Sequence, residues 1–407
     1  MNANPPSATA QLDAPLLEGA RARHAELVEL RRDLHRHPEL GFAEVRTSAL
    51  VVDHLNRLGL TPRTGVARTG VVAEIANGDG PVVALRADMD ALPIEQDADH
   101  DYRSTVPGVM HACGHDAHVT ALLGATRLLI EARDAGRLPK GTVRLLFQPC
   151  EETVDAEGRS GGWRMVDEGA LEGVDAVAAL HVGGHLPSGQ VFIGPGSVMG
   201  GSQEIIVDVL GSAAHAAFPH EGIDALVLAA QAVGAAQTAV SRRIPPTEAG
   251  VITFGSIHGG TAPNVICDRV RLHGTMRWFE PAVRERLEST LRGVFEGLEA
   301  QGGRADITLR PGYPPVVNDA RATAAVRQAL SQLFGSQAVV DQPPVLAAED
   351  FSYLAGNAPG VFFWLGAAPA DEPRMHHHPR FDIDESVLST AAAALARAGA
   401  ALLEEYR

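Results

Sequence analysis

Aromatic residues are scarce in this chain: Phe, Trp and Tyr make up 5% of 407 residues, against 45% for the hydrophobic set as a whole. Cores must therefore be built from Ala, Leu, Val and Gly, which suits α/β layers better than a β-sandwich. Cysteine is nearly missing too. Its three copies, at 113, 150 and 267, are too few and too scattered for a disulfide framework, which fits a reducing compartment. Positive charge is in deficit, with 34 Lys and Arg against 50 Asp and Glu and a formal net charge of −16. So acidic a chain repels nucleic acid and anionic membrane, and neither is expected as a partner. Residues 1–14 read as a loose polar tail without the basic-then-apolar pattern of an export signal. The apolar runs fall short of a membrane span, and no internal repeat is visible. A cytoplasmic protein of two domains is the expectation.

The richest stretch is Met110-His-Ala-Cys-Gly-His-Asp-Ala-His118, with three histidines, a cysteine and an aspartate in nine residues. It precedes an apolar run, Val119 to Ile130, at helical spacing, which places the cluster on a loop at a helix entrance. Taken singly, a buried Cys or a capping His is the ordinary reading. Together, a thiolate and an imidazole from Cys113-x-His115, with Gly114 letting the backbone turn, suit zinc and its first-row neighbours.

The chain repeatedly ends a short apolar strand in a residue of ligand type. Val82 to Leu85 leads into Arg86-Ala-Asp88-Met-Asp90, where a capped loop and a functional pair are both open readings. Thr142 to Phe147 runs into Gln148-Pro-Cys-Glu151-Glu152, a surface pair or else a metal ligand beside a proton carrier. Ala176 to Leu180 delivers His181. From about residue 200 the order becomes β-α-β-β-α-β over some 115 residues, a ferredoxin-like unit inserted into the α/β pattern. The α/β pattern resumes near Val316 with a helix from Arg321 to Leu333, and His376-His377-His378-Pro379 precedes a final helix. The expected domains are 1–199 with 316–407, and 200–315.

Nine motifs in order span nearly the whole chain: Arg86-Ala-Asp-Met-Asp-Ala-Leu-Pro93, His111-Ala-Cys-Gly-His-Asp116, Gln148-Pro-x-Glu-Glu152, Leu180-His181, Gly211-x-x-x-His215-Ala, Pro263-Asn264-Val-Ile, Gly274-Thr-x-Arg277, Glu349-Asp-Phe351 and His377-x-Pro379. This set resembles the M20 peptidase family, in particular the amidohydrolase branch with its hippurate hydrolases, aminoacylases and plant indole-acetyl-amino acid hydrolases. The resemblance implies a zinc-peptidase-like catalytic domain carrying an inserted lid and dimerisation domain. It also implies two divalent ions per subunit, of Zn, Mn, Co or Ni, held by Cys113, His115, Glu152, His181 and His377. The choice of His377 over its neighbours rests on the His-x-Pro spacing. Glu151 becomes the general acid/base, and Asp90 the acid that steadies the metal site. His215 would reach the partner subunit's active site, while Asn264 and Arg277 would hold the substrate carboxylate. A homodimer, or a tetramer, acting on N-acyl amino acids follows.

Three departures from the family pattern touch loops that shape the substrate pocket. Thr153 to Gly162 is long and charged, His181 is followed by Val-Gly-Gly-His185 in place of an aromatic and a proline, and Ala347-Ala348 precedes Glu-Asp-Phe. A dipeptidase of the same family is therefore the alternative. A thiol hydrolase using Cys113, and a binding protein with a structural zinc site, are rivals from other classes.

Overall fold

The computed structural model describes residues 12–407. Most of the expected tail lies outside that range, and residues 13 and 14 already belong to helix α1 (Asp13–Ala22). The helical pattern that ends at His37-Pro38 is two helices, α1 and α2 (His24–Arg36), parted at Arg23. Further helices are α3 (Val45–Arg57), α4 (His115–Asp134), α5 (Gly161–Asp167), α6 (Ala225–Arg243), α7 (Pro281–Glu296), α8 (Ala320–Phe334), α9 (Phe351–Ala355) and α10 (Leu388–Glu405). The strands are β1 (Arg63–Val66), β2 (Gly70–Ala76), β3 (Val82–Asp88), β4 (Thr142–Gln148), β5 (Ala176–Gly183), β6 (Val191–Phe192), β7 (Gly196–Met199), β8 (Gly201–Leu210), β9 (Gly250–Gly259), β10 (Arg269–Trp278), β11 (Arg304–Pro311), β12 (Val316–Asn318), β13 (Val339–Val340) and β14 (Gly360–Gly366).

The chain folds as two compact units. The first comprises Met1–Val198, Val317–Pro343 and Asp350–Arg407, and the second Met199–Val316 and Pro344–Glu349. The sequence reading left 344–349 with the catalytic part. They join the inserted unit because the Gly200 N–H donates to the carbonyls of Val345 and Ala347, at 2.9 and 2.8 Å.

Among the described residues the first unit builds an eight-stranded sheet of order β1-β2-β4-β3-β5-β14-β6-β13. Its centre, β4-β3-β5-β14, is parallel. β5 and β14 are buried along their whole length, so they read as unbroken apolar runs rather than alternating ones. The parallel strands share one carboxyl edge. There β3 ends at Asp88, β4 at Gln148 and β5 at Gly183, where an open α/β sheet places its chemistry.

One expectation fails here. The segment Glu385–Glu405, 21 residues ending α10, is long and apolar enough by length and composition to cross a membrane. Instead it is a core helix. Alanines at 391–394 let α4 approach so closely that a Cβ on Gly124 would stand 2.8 Å from the Ala392 Cβ.

The second unit is β8-α6-β9-β10-α7-β11, an antiparallel sheet of order β11-β8-β10-β9. Strict alternation of buried and half-buried residues along β8 marks a sheet covered on one face. Ile205, Val207 and Val209 pack with Ala229, Ala232, Leu287 and Leu291 of the two helices.

Candidate metal centre and active site

Gly114 makes the first turn of this site. Its φ of +93° lies in the left-handed region, and a Cβ there would stand 2.4 Å from Val182 Cγ2. The turn starts α4 at His115. The expected loop cluster is therefore split: Cys113 precedes the helix, while His115, Asp116 and His118 form its first turn.

Among the described residues, four groups of first-unit side chains bring ligand atoms within 4.8 Å of one another: Cys113/His115/His181, Cys113/Glu152/His377, His115/Glu151/Glu152 and Asp88/His115/His118. All five residues expected to hold metal fall in the first three, with Cys113 common to two. Two of the imidazoles, those of His115 and His181, are oriented by their other nitrogen. His115 Nδ1 donates to the Asp90 carbonyl at 2.8 Å, and its buried Nε2 has no hydrogen-bond partner. That Nε2 lies 3.6 Å from Asp88 Oδ2 and 3.9 Å from Glu152 Oε1. His181 Nδ1 donates to the Val182 carbonyl at 2.8 Å, turning Nε2 toward Cys113 Sγ at 3.5 Å. Asp90 Oδ2 accepts the Glu152 N–H at 3.0 Å and so steadies the glutamate pair from behind.

The histidine triplet separates by geometry. His377 Nε2 meets Glu152 Oε1 at 3.0 Å, and its N–H donates to the Ala112 carbonyl at 2.8 Å, which pins the residue at φ +59°. His376 turns the other way and donates from Nε2 to the Val182 carbonyl at 3.0 Å. His378 Nδ1 accepts the Arg380 N–H at 3.1 Å.

The electrostatics call for a cation. Burial lowers the affinity of His115 for a proton, but Asp88, Asp90 and Glu152 outweigh it and raise its pKa to about 10. Burial, reinforced by Glu152, Glu151 and Asp88, pushes the Cys113 thiol well above its usual range. A thiol held protonated is a poor nucleophile, which counts against a thiol hydrolase. The orphaned His115 Nε2 and the mixed S, N and O donors fit borderline divalent ions.

In the second unit His215 and Asn264 lie on neighbouring backbone. His215 bridges Val265, and Asn264 accepts the Ala216 N–H at 3.0 Å. Both are exposed. His215 Nδ1 accepts the Ala217 N–H at 3.1 Å, which leaves Nε2 as the outward donor. Arg277 is half-buried, touches Thr275 Oγ1 and the Met276 carbonyl, and has no carboxylate at ion-pair distance among the described residues. Asn264 precedes β10, and Arg277 lies eight residues beyond its first residue, Arg269. At about 3.3 Å per residue that places Arg277 roughly 25 Å along the strand from Arg269.

Sequence reasoning quoted Arg86, His118, Gln148 and Asp350 within its motifs without giving them a role; they form a buried polar set beneath the site, at 0–1% exposure. A charged residue inside the apolar run of β3 was the available signal for Arg86. It also missed Glu44, whose carboxylate accepts the Cys150 N–H at 2.8 Å and the Thr69 hydroxyl at 2.5 Å. Burial and nearby Asp90 raise the pKa of Glu44 to about 7.

Comparison with known proteins follows the geometry. The model of Peptidase family M20/M25/M40 matches residues 84–400. A putative amidohydrolase of Bacillus subtilis, YhaA, is 40% identical over 377 residues, covering 92% of this chain and 93% of its own. The N-acetyl-L-cysteine deacetylase of the same organism is 39% identical over 381 residues, covering 93% and 88%. Among solved structures, the Bacillus subtilis YXEP protein, described as a dinuclear metal-binding peptidase, superposes with a TM-score of 0.81 at 32% identity, over 94% of this chain and 99% of its own.

Proposed function

The chain belongs to peptidase family M20/M25/M40 and is a hydrolase of amide or peptide bonds, and from this premise we propose that it cleaves the amide of N-acyl amino acids. The observation that carries the substrate choice is Arg277: a half-buried guanidinium with no acid of its own suits a carboxylate from outside. The likeness to an N-acetyl-L-cysteine deacetylase supports an acyl group on the other side of the bond.

Cys113, His115, Glu152, His181 and His377 would hold two divalent ions, of Zn, Mn, Co or Ni, consistent with the dinuclear description of the YXEP protein. Bound there, the ions supply Lewis acidity toward water and the scissile carbonyl. The chain's own residues do the rest. Glu151, 6% exposed and accepting the Asp350 N–H at 3.3 Å, takes the proton of the attacking water and hands it to the leaving amine. Asp90 keeps the Glu152 backbone in place beside it. His215, donating from Nε2, steadies the oxyanion.

His215 acts on a partner subunit's substrate, and Asn264 and Arg277 hold the substrate carboxylate. The homodimer forms through the second unit, where β9 has a strand on one side only among the described residues. Beside it a cavity of about 630 Å³ is lined by Ala230, Val233, Phe254 and Ile257, apolar surface that a second copy would cover. A cytoplasmic location accords with three free cysteines.

The test compares an N-acyl amino acid with its C-terminal amide, in the wild type and in Arg277→Lys. The acid should be strongly preferred, and the variant should lose about 2 kcal/mol in kcat/KM, the value of a charged hydrogen bond, at unchanged metal content. Equal turnover of acid and amide would rule the clamp out. The peptidase description of the YXEP protein keeps dipeptides as the second reading, and a parallel dipeptide panel decides between them.

A further inference from the structure

The reaction as proposed gives no role to Arg86, Gln148, Asp350 or His118, yet these residues form one continuous buried network. Arg86 sits in β3 at 1% exposure. It donates from Nη1 to Asp88 Oδ2 at 2.6 Å, from Nε to Gln148 Oε1 at 2.9 Å and from Nη2 to Asp350 Oδ1 at 3.0 Å. Taking these charges out of water is costly, and an apolar side chain of similar size would pack the strand as well. Stability alone is therefore a weak reason for the network, and its geometry offers a better one. Two arms leave Arg86.

The first arm ends on Glu151. The Asp350 carboxylate is held by Arg86, by Gln148 Nε2 at 2.7 Å and by the Gly162 N–H at 2.7 Å. Gly162 permits this approach, since a Cβ there would stand 2.7 Å from Asp350 Oδ2. With its side chain pinned, Asp350 presents its backbone N–H to Glu151 Oε1 at 3.3 Å.

The second arm ends beside His181. Asp88 Oδ1 lies 2.5 Å from His118 Nδ1, and the Val182 N–H donates to His118 Nε2 at 2.9 Å. An imidazole that accepts at Nε2 must carry its proton at Nδ1, so His118 donates to Asp88 and is neutral. Both of its nitrogens are used. It is therefore no ligand, although Asp88, His115 and His118 lie close enough to suggest a metal site. What His118 holds is Val182, whose carbonyl in turn accepts from His181 Nδ1 at 2.8 Å and His376 Nε2 at 3.0 Å.

We propose that Arg86 is a positioning residue that sets both halves of the reaction centre, orienting Glu151 through Asp350 and seating His181 through Asp88 and His118. This rests on the reading of Glu151 as proton carrier and His181 as metal ligand. The two arms make separable predictions. In the full-length protein, His118→Phe keeps the ring volume but leaves Asp88 Oδ1 and the Val182 N–H without their imidazole partner. Its metal affinity, measured by equilibrium dialysis and elemental analysis, should fall about 10–100-fold, with activity recovered in excess metal. Asp350→Asn turns an amide nitrogen toward donors where a carboxylate oxygen accepted. It should bind metal as the wild type does and lose kcat about 10-fold or more, with KM little changed and no rescue by metal. Arg86→Met should show both defects. Thermal unfolding of each metal-free variant reports folding, and His118→Asn, too short to span both partners, replaces the Phe variant if that one does not fold.

If His118→Phe and Asp350→Asn lose metal and kcat in the same proportion, the network is ordinary core and the proposal is wrong. Unchanged metal affinity in the one, or unchanged kcat in the other, overturns the corresponding arm. A wild-type enzyme fully active in chelator strikes instead at the metal reading, and leaves the network's hydrogen bonds to be judged by unfolding alone.

Discussion

His115 and Glu151 in the first unit are 1% and 6% exposed and are tied to other side chains and backbone, whereas His215 and Asn264 in the second stand open to solvent. The strands beneath them differ in the same sense. β5 and β14 are buried on both faces, while β8 alternates buried and half-buried residues. A sheet buried on both faces offers only its strand ends for chemistry, so the first unit gathers donors at one edge and locks them. A one-faced sheet has few internal partners for its open side. The residues proposed to act there, His215 and Asn264, are exposed and would act on groups outside the unit. The first unit should therefore fail through loss of metal or proton transfer, and the second through loss of grip.

Metal removal breaks the comparison most completely. Chelation should abolish activity, and added Zn, Mn, Co or Ni should restore it, while every second-unit residue stays in place. Cys113→Ser should lower metal occupancy along with rate, because Cys113 belongs to two of the donor groups. Full activity in rigorously metal-free protein would sink this reading.

Within the first unit the adjacent glutamates should part. Glu151→Gln should retain its metal and lose at least about 10²-fold in rate, as removal of a positioned acid/base does. Glu152→Gln should lose metal first, since its carboxylate sits between His377 and His115. Equal metal loss in both would end the division of labour between them.

A pH titration sharpens the contrast, because only the first unit holds strongly shifted groups at its donor atoms. His115, raised to about 10, and Cys113, pushed well above its usual range, both carry protons near neutrality in the metal-free chain. Metal must displace them, so apparent affinity should climb at least roughly tenfold per pH unit, one proton per ion or more. The sign for stability follows. A raised His stabilises the metal-free fold below its ordinary value of 6.5, and that contribution is lost as pH rises toward about 10. Calorimetry in buffers of different ionisation enthalpy counts the protons released, and a count of zero would contradict the site's electrostatics.

The smallest effect tests the second unit alone. Glu151→Gln and His215→Ala dimers, each nearly inactive, should regain activity on subunit exchange. A random mixture is half heterodimer, and one site in each heterodimer has both native groups, so recovery should approach about a quarter of wild type. No recovery, with exchange verified by mass spectrometry, would place His215 in its own chain's site or in none.

Much of the first unit was legible in the sequence because its signals are local. Cys113-x-His115, Glu151-Glu152 and His181 each follow an apolar strand or precede an apolar helix, and the βαββαβ order of the insert shows in periodicity alone. Even local reading slips at boundaries. His115 lies inside α4 because Gly114, in the left-handed region, ends the loop and the helix starts four residues before Val119, where the hydrophobic spacing begins. α10 passes for a membrane span by composition, since hydropathy does not distinguish a helix buried in protein from one buried in lipid.

What the sequence by itself determined is therefore which residue types can bind metal and move a proton, together with the order of strands that carries them to one edge. Only the tertiary structure decided which members of that inventory are spent on one another. His377 meets Glu152 while His376 turns to the Val182 carbonyl, though the two are neighbours in the chain. His118 looks like a ligand until Asp88 and Val182 take both its nitrogens. Arg86 meets Asp350 across 264 residues. Those choices depend on hydrogen-bond partners far away in sequence, and a lone pair's availability is known only when every group packed around it is in place.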